Sequence, residues 1–346
     1  MAVTFLEAGT SATFGLEFWT AFGGFGEASE ATIVHTGPRS LKLPNYGSVR
    51  KDSVCQDSGT RLTFYVYFSA LPPSSLDFCR VNSTTTGKQI EIRLLSTGIL
   101  RLQDGNGNTF DGTTVLATAT WYRVSLAYTI TSSTVNEFRL FLNGALERSV
   151  SNTTTGVGTG TVQWFLEQSG GGSGVTIYVS DTYTDDSPAL TDPGDIRVTD
   201  KLPVANNVND FDSFIPGGAN PANRWTNVNE RPLSETNGWQ QAGSSQVREN
   251  FGLEAAAAGD VDVSGATLVA RCAWMWAKAA ATSGTPKITD NGSDFAVTLT
   301  STSALFTHLT TSASYPSNAA GIGIVSTGTA DDTFLYECGK IGRAHV

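Results

Sequence analysis

The stretch Trp121-Tyr-Arg-Val-Ser-Leu-Ala-Tyr128 decides the fold. It alternates with period two. Tyr122, Val124 and Leu126 fall on one face, and Trp121, Arg123 and Ser125 on the other. That pattern, rich in aromatic and β-branched residues, is a strand with one buried face. The same reading extends outward in both directions. Arg61 to Ser69 and Leu76 to Val81 are strands, separated by Pro72-Pro73, which cannot donate to a ladder. Gln89 to Leu95 puts Ile90, Ile92 and Leu94 on one face, and Ile99 to Leu102 returns beside it. Glu137 to Leu142 and Ala145 to Val150 flank Asn143-Gly144, a type I′ hairpin signal. Val175 to Val179 closes the series. Strands at spacings of about ten residues predict a sandwich or jelly roll. Helical periodicity is almost absent, and only Phe251 to Gly259, with its four alanines, reads as a short helix.

A chain of 346 residues exceeds the roughly 250–300 residues of one ordinary core. Two domains are therefore expected: residues 1–183, an acidic proline-bearing linker at 184–195, and a smaller β domain at 196–340. The fold class is all-β, an N-terminal jelly-roll sandwich followed by a second sandwich-like domain. The hydrophobic share of 40% excludes a disordered chain. The net charge of −10, with no basic arm, excludes nucleic acid as the main partner. No run reaches the length of a membrane span, and Met1 to Glu7 lacks the pattern of a signal peptide. The cysteines, Cys55, Cys79, Cys272 and Cys338, are too sparse for a disulfide scaffold; free buried thiols are expected, with a Cys55–Cys79 bridge as the alternative. The last six residues, Ile341-Gly-Arg-Ala-His-Val346, read as one frame of a common sequencing adapter, so Arg343 and His345 are given no functional weight and the second domain is expected to be truncated.

Three motifs carry a resemblance. Gly37-Pro-Arg-Ser-Leu-Lys-Leu43, Trp121-Tyr-Arg-Val124 and Phe138-Arg-Leu-Phe-Leu-Asn-Gly144 stand in the order and spacing found in concanavalin A-like, laminin-G-like jelly rolls. Residues 3–180 resemble that family. Residues 195–340, with Asp195-Ile-Arg-Val-Thr199 and Val228-Asn-Glu-Arg-Pro232, are similar to the C-terminal module that follows such a domain in tailed-phage virion proteins. The resemblance implies a non-enzymatic phage or prophage virion structural protein, a head or tail decoration or fibre component acting by display and adhesion. It would be assembled in the host cytoplasm as a homo-oligomer, with other virion proteins and a cell-surface glycan as partners. A carbohydrate-binding, lectin-like module is the alternative, and a glycan-degrading enzyme a third reading.

The candidate sites are few. Glucanases of this fold carry E-x-D-x-x-E on one strand, and no such pattern occurs, so no catalytic residue is assigned. Glu91, Glu137 and Glu167 read as solvated strand residues. His35 and His308 stand outside any nucleophile triad and read as polar strand residues. Trp225 and Trp239, with Asn223, Arg224 and Asn227, could form a sugar-stacking site; the alternative is that they anchor a long loop. Asp104, Asn106, Asn108 and Asp111 alternate in a glycine-rich loop, the oxygen pattern a calcium ion accepts, or else a plain turn. No other cofactor is implied. Asp185, Asp186 and Asp192 form a second acidic cluster, read as linker solvation. Trp274 and Trp276 share a strand face and read as core or as a subunit contact.

Overall fold

The strand expected at Trp121 runs Trp121–Ile130, antiparallel to a neighbour on each side. It belongs to a computed structural model that describes residues 3–7, 21–23, 28–35, 39–44, 46–55, 60–83, 89–130, 136–151, 162–170, 174–185, 189–201, 203–209, 211, 213–215, 224–228, 238–241, 247–253, 268–279, 286–290, 293–299, 301–302, 304–310, 322–326 and 333–345. The chain is nearly all β and divides into two units, one built on Met1–Val198 and one on Thr199–Ala344.

The first domain holds fifteen of the strands: β1 (Val3–Glu7), β2 (Ala21–Gly23), β3 (Ala28–Glu30), β4 (Ser40–Leu43), β5 (Ser48–Cys55), β6 (Thr60–Phe68), β7 (Leu76–Ser83), β8 (Gln89–Leu94), β9 (Ile99–Gln103), β10 (Thr109–Val115), β11 (Trp121–Ile130), β12 (Asn136–Leu142), β13 (Ala145–Ser151), β14 (Val162–Gly170) and β15 (Ile177–Asp185). Sheet A runs β13-β12-β11-β6-β15-β4-β3, with β1 also on β15. Sheet B runs β10-β9-β8-β7-β14-β5-β2. Alternate residues of both sheets meet in one core. Leu62, Phe64, Val66 and Phe68 of β6 and Val124, Leu126 and Tyr128 of β11 face Phe78, Val81, Ile90, Ile92, Leu94, Trp164 and Leu166 of sheet B. Each large apolar side chain buried here stabilises the sandwich by about 1.5–3 kcal/mol. Asn143 (φ 50) and Gly144 (φ 88) are both left-handed, as the type I′ turn between β12 and β13 requires.

The second domain contains β16 (Ile196–Lys201), β17 (Pro203–Asn209), β18 (Ser213–Ile215), a 3-10 turn at Arg224–Asn227, β19 (Gly238–Gln241), β20 (Arg248–Leu253), β21 (Leu268–Ala279), β22 (Lys287–Asp290), β23 (Ser293–Ala296), β24 (Ala304–Thr310), β25 (Ile322–Val325) and β26 (Thr333–His345). One sheet runs β18-β19-β26-β21-β24, with β16 on β26, and the other β17-β20-β25-β22-β23. Their core includes Trp239, Phe251, Leu253, Met275, Ile288, Ile322, Ile324 and Leu335. β26 stays paired with β21 into the final residues, Ile341 opposite Cys272 and Ala344 opposite Leu268.

Three expectations are corrected. Phe251–Leu253, expected to open a helix, ends strand β20, because Phe251 and Leu253 alternate into the core and packing outweighs local propensity; residues 254–259 lie outside the described residues. Asp181–Asp185, at the edge of the expected linker, is the buried end of β15. Its acidic residues are not solvated, since each has a partner, Arg61 of β6 for Asp185 and His35, between β3 and β4, for Asp181. The Cys55–Cys79 bridge is not formed: Cys79 is buried outside any disulfide, as is Cys338.

Candidate functional site

Strand β8 sets the site. Because Ile90, Ile92 and Leu94 point into the core, Glu91 and Arg93 must stand on the outer face of sheet B. Register then aligns other polar residues beside them. Arg80 of β7 pairs with Glu91 on one side and Phe165 of β14 on the other, and Phe165 pairs with Arg50 of β5. One step along, Arg101 of β9, Arg93 and Asp77 of β7 form the next row, ending at Ser169 of β14. A β-bulge between Leu166 and Ser169 lets Glu167 join this cluster.

The charges interlock. Arg93 Nε lies 2.7 Å from Asp77 Oδ1 and also donates to Glu91 Oε2 at 2.9 Å. Arg80 lies 3.2 Å from Glu167 Oε2. Glu91 and Glu167 are only 4% and 6% exposed, so the expectation that they are solvated strand residues is wrong. Burial pushes Asp77 above the ordinary aspartate value; Arg93 opposes the shift and Glu91 adds to it. Burial likewise pushes Glu167 up, against Arg80 and with the negative charge of Asp77 and Glu91. Oε1 of Glu167 and Oδ1 of Asn82 on β7 are buried and accept no hydrogen bond. Oε1 is thus an open position for a proton. Chemically, the face offers two carboxyls biased toward the protonated form, a third carboxylate gripped by Arg93, and guanidinium groups that bind anions.

The residues proposed from the sequence fall elsewhere. Trp239 is wholly buried; its Nε1 donates to the carbonyl of Arg224 at 3.0 Å, and the Arg224 guanidinium lies 3.7 Å above its ring. A ring with no exposed surface offers no face to a sugar. Arg224 is itself buried against Glu249. Trp225 packs against the same core, and its backbone N donates to Asn206. Asn223 and the side chain of Asn227 lie outside the described residues. Both tryptophans are part of the packing of the second domain's core.

In the glycine-rich loop, Asp104 is 4% exposed and folds its oxygens back on the turn. Oδ1 accepts from the backbone of Asn106 and of Asn108, both at 2.9 Å, and Oδ2 from the Asn108 side chain at 2.8 Å. Asp111 instead pairs with Arg101 on the face of sheet B. The four residues do not converge on an ion, and among the described residues no group of three or more His, Cys, Asp or Glu is arranged to hold a metal. Replacing Asp104 with alanine is expected to cost about 1–3 kcal/mol by stranding the loop's donors, while added calcium leaves the melting temperature of the parent protein unchanged. A calcium-dependent rise in thermal unfolding would contradict this account.

Glu137 pairs with Arg139. The side chains of His308, Trp274 and Trp276 lie outside the described residues, while Met275, Ala277 and Ala279 of the same strand supply core. The carboxylate cluster forms no motif along the chain because its members sit on three strands. The available signal was Glu91-x-Arg93, two charges on the face opposite Ile90, Ile92 and Leu94.

No protein-family model matches the chain, and no curated protein sequence does. Solved structures match at the level of the β-sandwich. An endo-β-1,4-glucuronan lyase from the fungus Trichoderma reesei is 14% identical, with a TM-score of 0.44 over 55% of this chain and 98% of that one. A PL-14 alginate lyase from Aplysia kurodai is 9% identical, with a TM-score of 0.43 over 54% and 100%. A Trypanosoma rangeli sialidase is 12% identical, with a TM-score of 0.34 over 42% of this chain and 25% of that one. These findings correct the expectation of a non-enzymatic virion protein. The similar solved structures are lyases and a sialidase, and Glu91 and Glu167, expected to be solvated, are buried.

Proposed function

We propose that the first domain acts on a glycan, using the outer face of sheet B as an acid–base site. The laminin-G-like jelly-roll resemblance of residues 3–180 is part of this proposal; its three motifs lie on β4, on β11, and on β12 with the turn after it. One observation carries the functional reading: Asp77, Glu91 and Glu167 converge from three strands onto one face, where burial and mutual repulsion raise two of the three. Cleaving a glycosidic linkage needs a proton donor at the leaving oxygen and a second group of opposite protonation nearby. Glu167 is the proton donor in this reading. Glu91, fixed by Arg93, is the carboxylate partner, and Arg50, Arg80 and Arg101 hold substituents of the sugar chain. The guanidinium groups favour a substrate with acidic sugars, so glucuronan and alginate are the first to try, with a neutral β-glucan as the comparison.

The test is depolymerisation of these three polymers by the full chain, followed by release of reducing ends and by viscosity. Cleavage of an acidic polymer that is lost in a double variant, Asp77→Asn with Glu167→Gln, supports the site. Activity that survives the double variant, or binding of every polymer without cleavage, refutes it.

A further inference from the structure

The outer face of sheet A, on the opposite side of the sandwich, carries a second constellation that the acid–base reading does not use. After β15 the chain turns back as a strap, residues 189–195, and lies on this face. Arg139 donates to the carbonyl of Leu190 at 3.0 Å. Asp192 is held through Oδ2 by Arg123 at 2.8 Å and through Oδ1 by the Ser125 hydroxyl at 2.9 Å. Asp195 accepts the Tyr65 hydroxyl and lies 3.9 Å from Arg123 Nη1. Gly144 adjoins the same spot: a Cβ there would stand 2.7 Å from Arg123 Nη2 and 3.5 Å from Asp192 Oδ2. Two carboxylates of the chain therefore occupy a recess of cationic and hydroxyl donors.

Two observations point beyond anchoring. The Arg123 side chain is only 8% exposed, yet its Nε is buried and makes no hydrogen bond. The strap carboxylates leave one guanidinium donor unused, where a carboxylate docked side-on would engage it. Beside the recess lies an aromatic row. Trp121 of β11, Tyr67 of β6 and Tyr178 of β15 stand directly opposite one another in register, their ring centroids 5.6 and 5.5 Å apart. His35, fixed by Asp181 at 2.8 Å, stacks on Tyr65 at 3.7 Å and touches Trp121 at 5.5 Å, joining recess to row. Asp181 is buried with φ 49, a left-handed conformation that costs a non-glycine residue about 1–3 kcal/mol and that holds this imidazole in place.

We propose that this face is a second glycan-binding site, for a chain bearing a carboxylate sugar, and that the strap is its resident occupant. Asp192 and Asp195 stand where the sugar carboxylate binds, and the aromatic row takes the adjoining ring faces. Burial and the bond to Asp195 keep the Tyr65 hydroxyl protonated, so it donates to either occupant. Asp195 is more than a third exposed and its ion pair contributes at most about 1 kcal/mol, so the strap is held mainly by the Asp192–Arg123 pair, and that is the contact an incoming carboxylate replaces.

The experiment titrates an alginate oligosaccharide, and a cello-oligosaccharide as neutral comparison, into the full chain carrying Glu167→Gln, so that cleavage on sheet B is silent. Adding Asp192→Asn and Asp195→Asn is expected to tighten the acidic ligand at least tenfold and leave the neutral one unchanged. A further Arg123→Gln is expected to abolish the gain. Hydrogen exchange on the chain with an intact strap adds a readout that needs no strap or Arg123 variant: the acidic ligand is expected to expose amides of 189–195 while those of β11 stay protected. The proposal fails if neutralising the strap leaves affinity unchanged, if the gain persists without Arg123, or if the ligand leaves the strap protected. None of these outcomes depends on whether sheet B cleaves glycans.

Discussion

Replacing Glu167 with glutamine is expected to lower glycan cleavage by about 10²–10⁴-fold, the usual contribution of a positioned proton donor. The same substitution has a second signature, in stability, that follows from the burial of the carboxyl. Glu167 binds its proton more tightly in the folded chain than in the unfolded one, because burial disfavours its charge more than Arg80 favours it. Below the ordinary glutamate value of 4.5 both states are protonated, and the contribution to stability is fully present. As pH rises through the raised folded value, the fold must accept a charge that it disfavours, and that stability is lost. Asp77 has the same sign. Glutamine carries no titrating proton, so the variant should lose less stability than the parent between pH 4 and pH 7. Urea midpoints at the two pH values measure the slope, and product release measures the rate. Unchanged cleavage would remove Glu167 from the mechanism. An unchanged slope would mean that its carboxyl is not raised by burial.

Replacing Asp185 with alanine is expected to be the most damaging single change to the first domain. Asp185 is completely buried and receives Arg61 bidentately, Nε to Oδ1 at 3.0 Å and Nη2 to Oδ2 at 2.8 Å, together with the Tyr183 hydroxyl at 2.5 Å. Removing the carboxylate strands a buried guanidinium, which costs about 3–5 kcal/mol. For a domain of this size that is a fall of roughly 6–20 °C in melting temperature. Calorimetry of the alanine variant tests the loss. The paired change Arg61→Met with Asp185→Leu should recover most of it, since it removes both buried charges and leaves only the Tyr183 hydroxyl without its acceptor. A drop of under about 1 kcal/mol in the single variant would mean that water reaches the pair.

The elements legible in the sequence were those whose signals are local. Period-two alternation placed β8 and β11, and Asn143-Gly144 placed its hairpin, because each depends on residues adjacent in the chain. The site was not local. Asp77, Glu91 and Glu167 become neighbours only through the pairing of β14 with β7 and of β7 with β8, which no single stretch encodes. The acidic run from Asp181 misled for the same reason. Its composition suits a solvated linker, while its basic partners, His35 and Arg61, lie more than a hundred positions earlier. Trp239 failed as a sugar platform because an aromatic residue in an irregular stretch looks alike whether it anchors or binds. Only its burial under Arg224 distinguishes the two.

The strand order also sets a timetable for synthesis. Residues 60–151 pair among themselves, β6 with β11 to β13 in one sheet and β7 to β10 in the other. Among the described residues, the earlier strands enter the sheets through the last two strands of the domain: β4 and β3 through β15, and β5 and β2 through β14, with Val3 opposite Asp185. At roughly 5–20 residues per second, the earliest strands wait on the order of ten to forty seconds after leaving the ribosome before their partners exist. A nascent chain halted before β14 would hold a half-built sandwich with open sheet edges, the species on which chaperones act and from which aggregates grow.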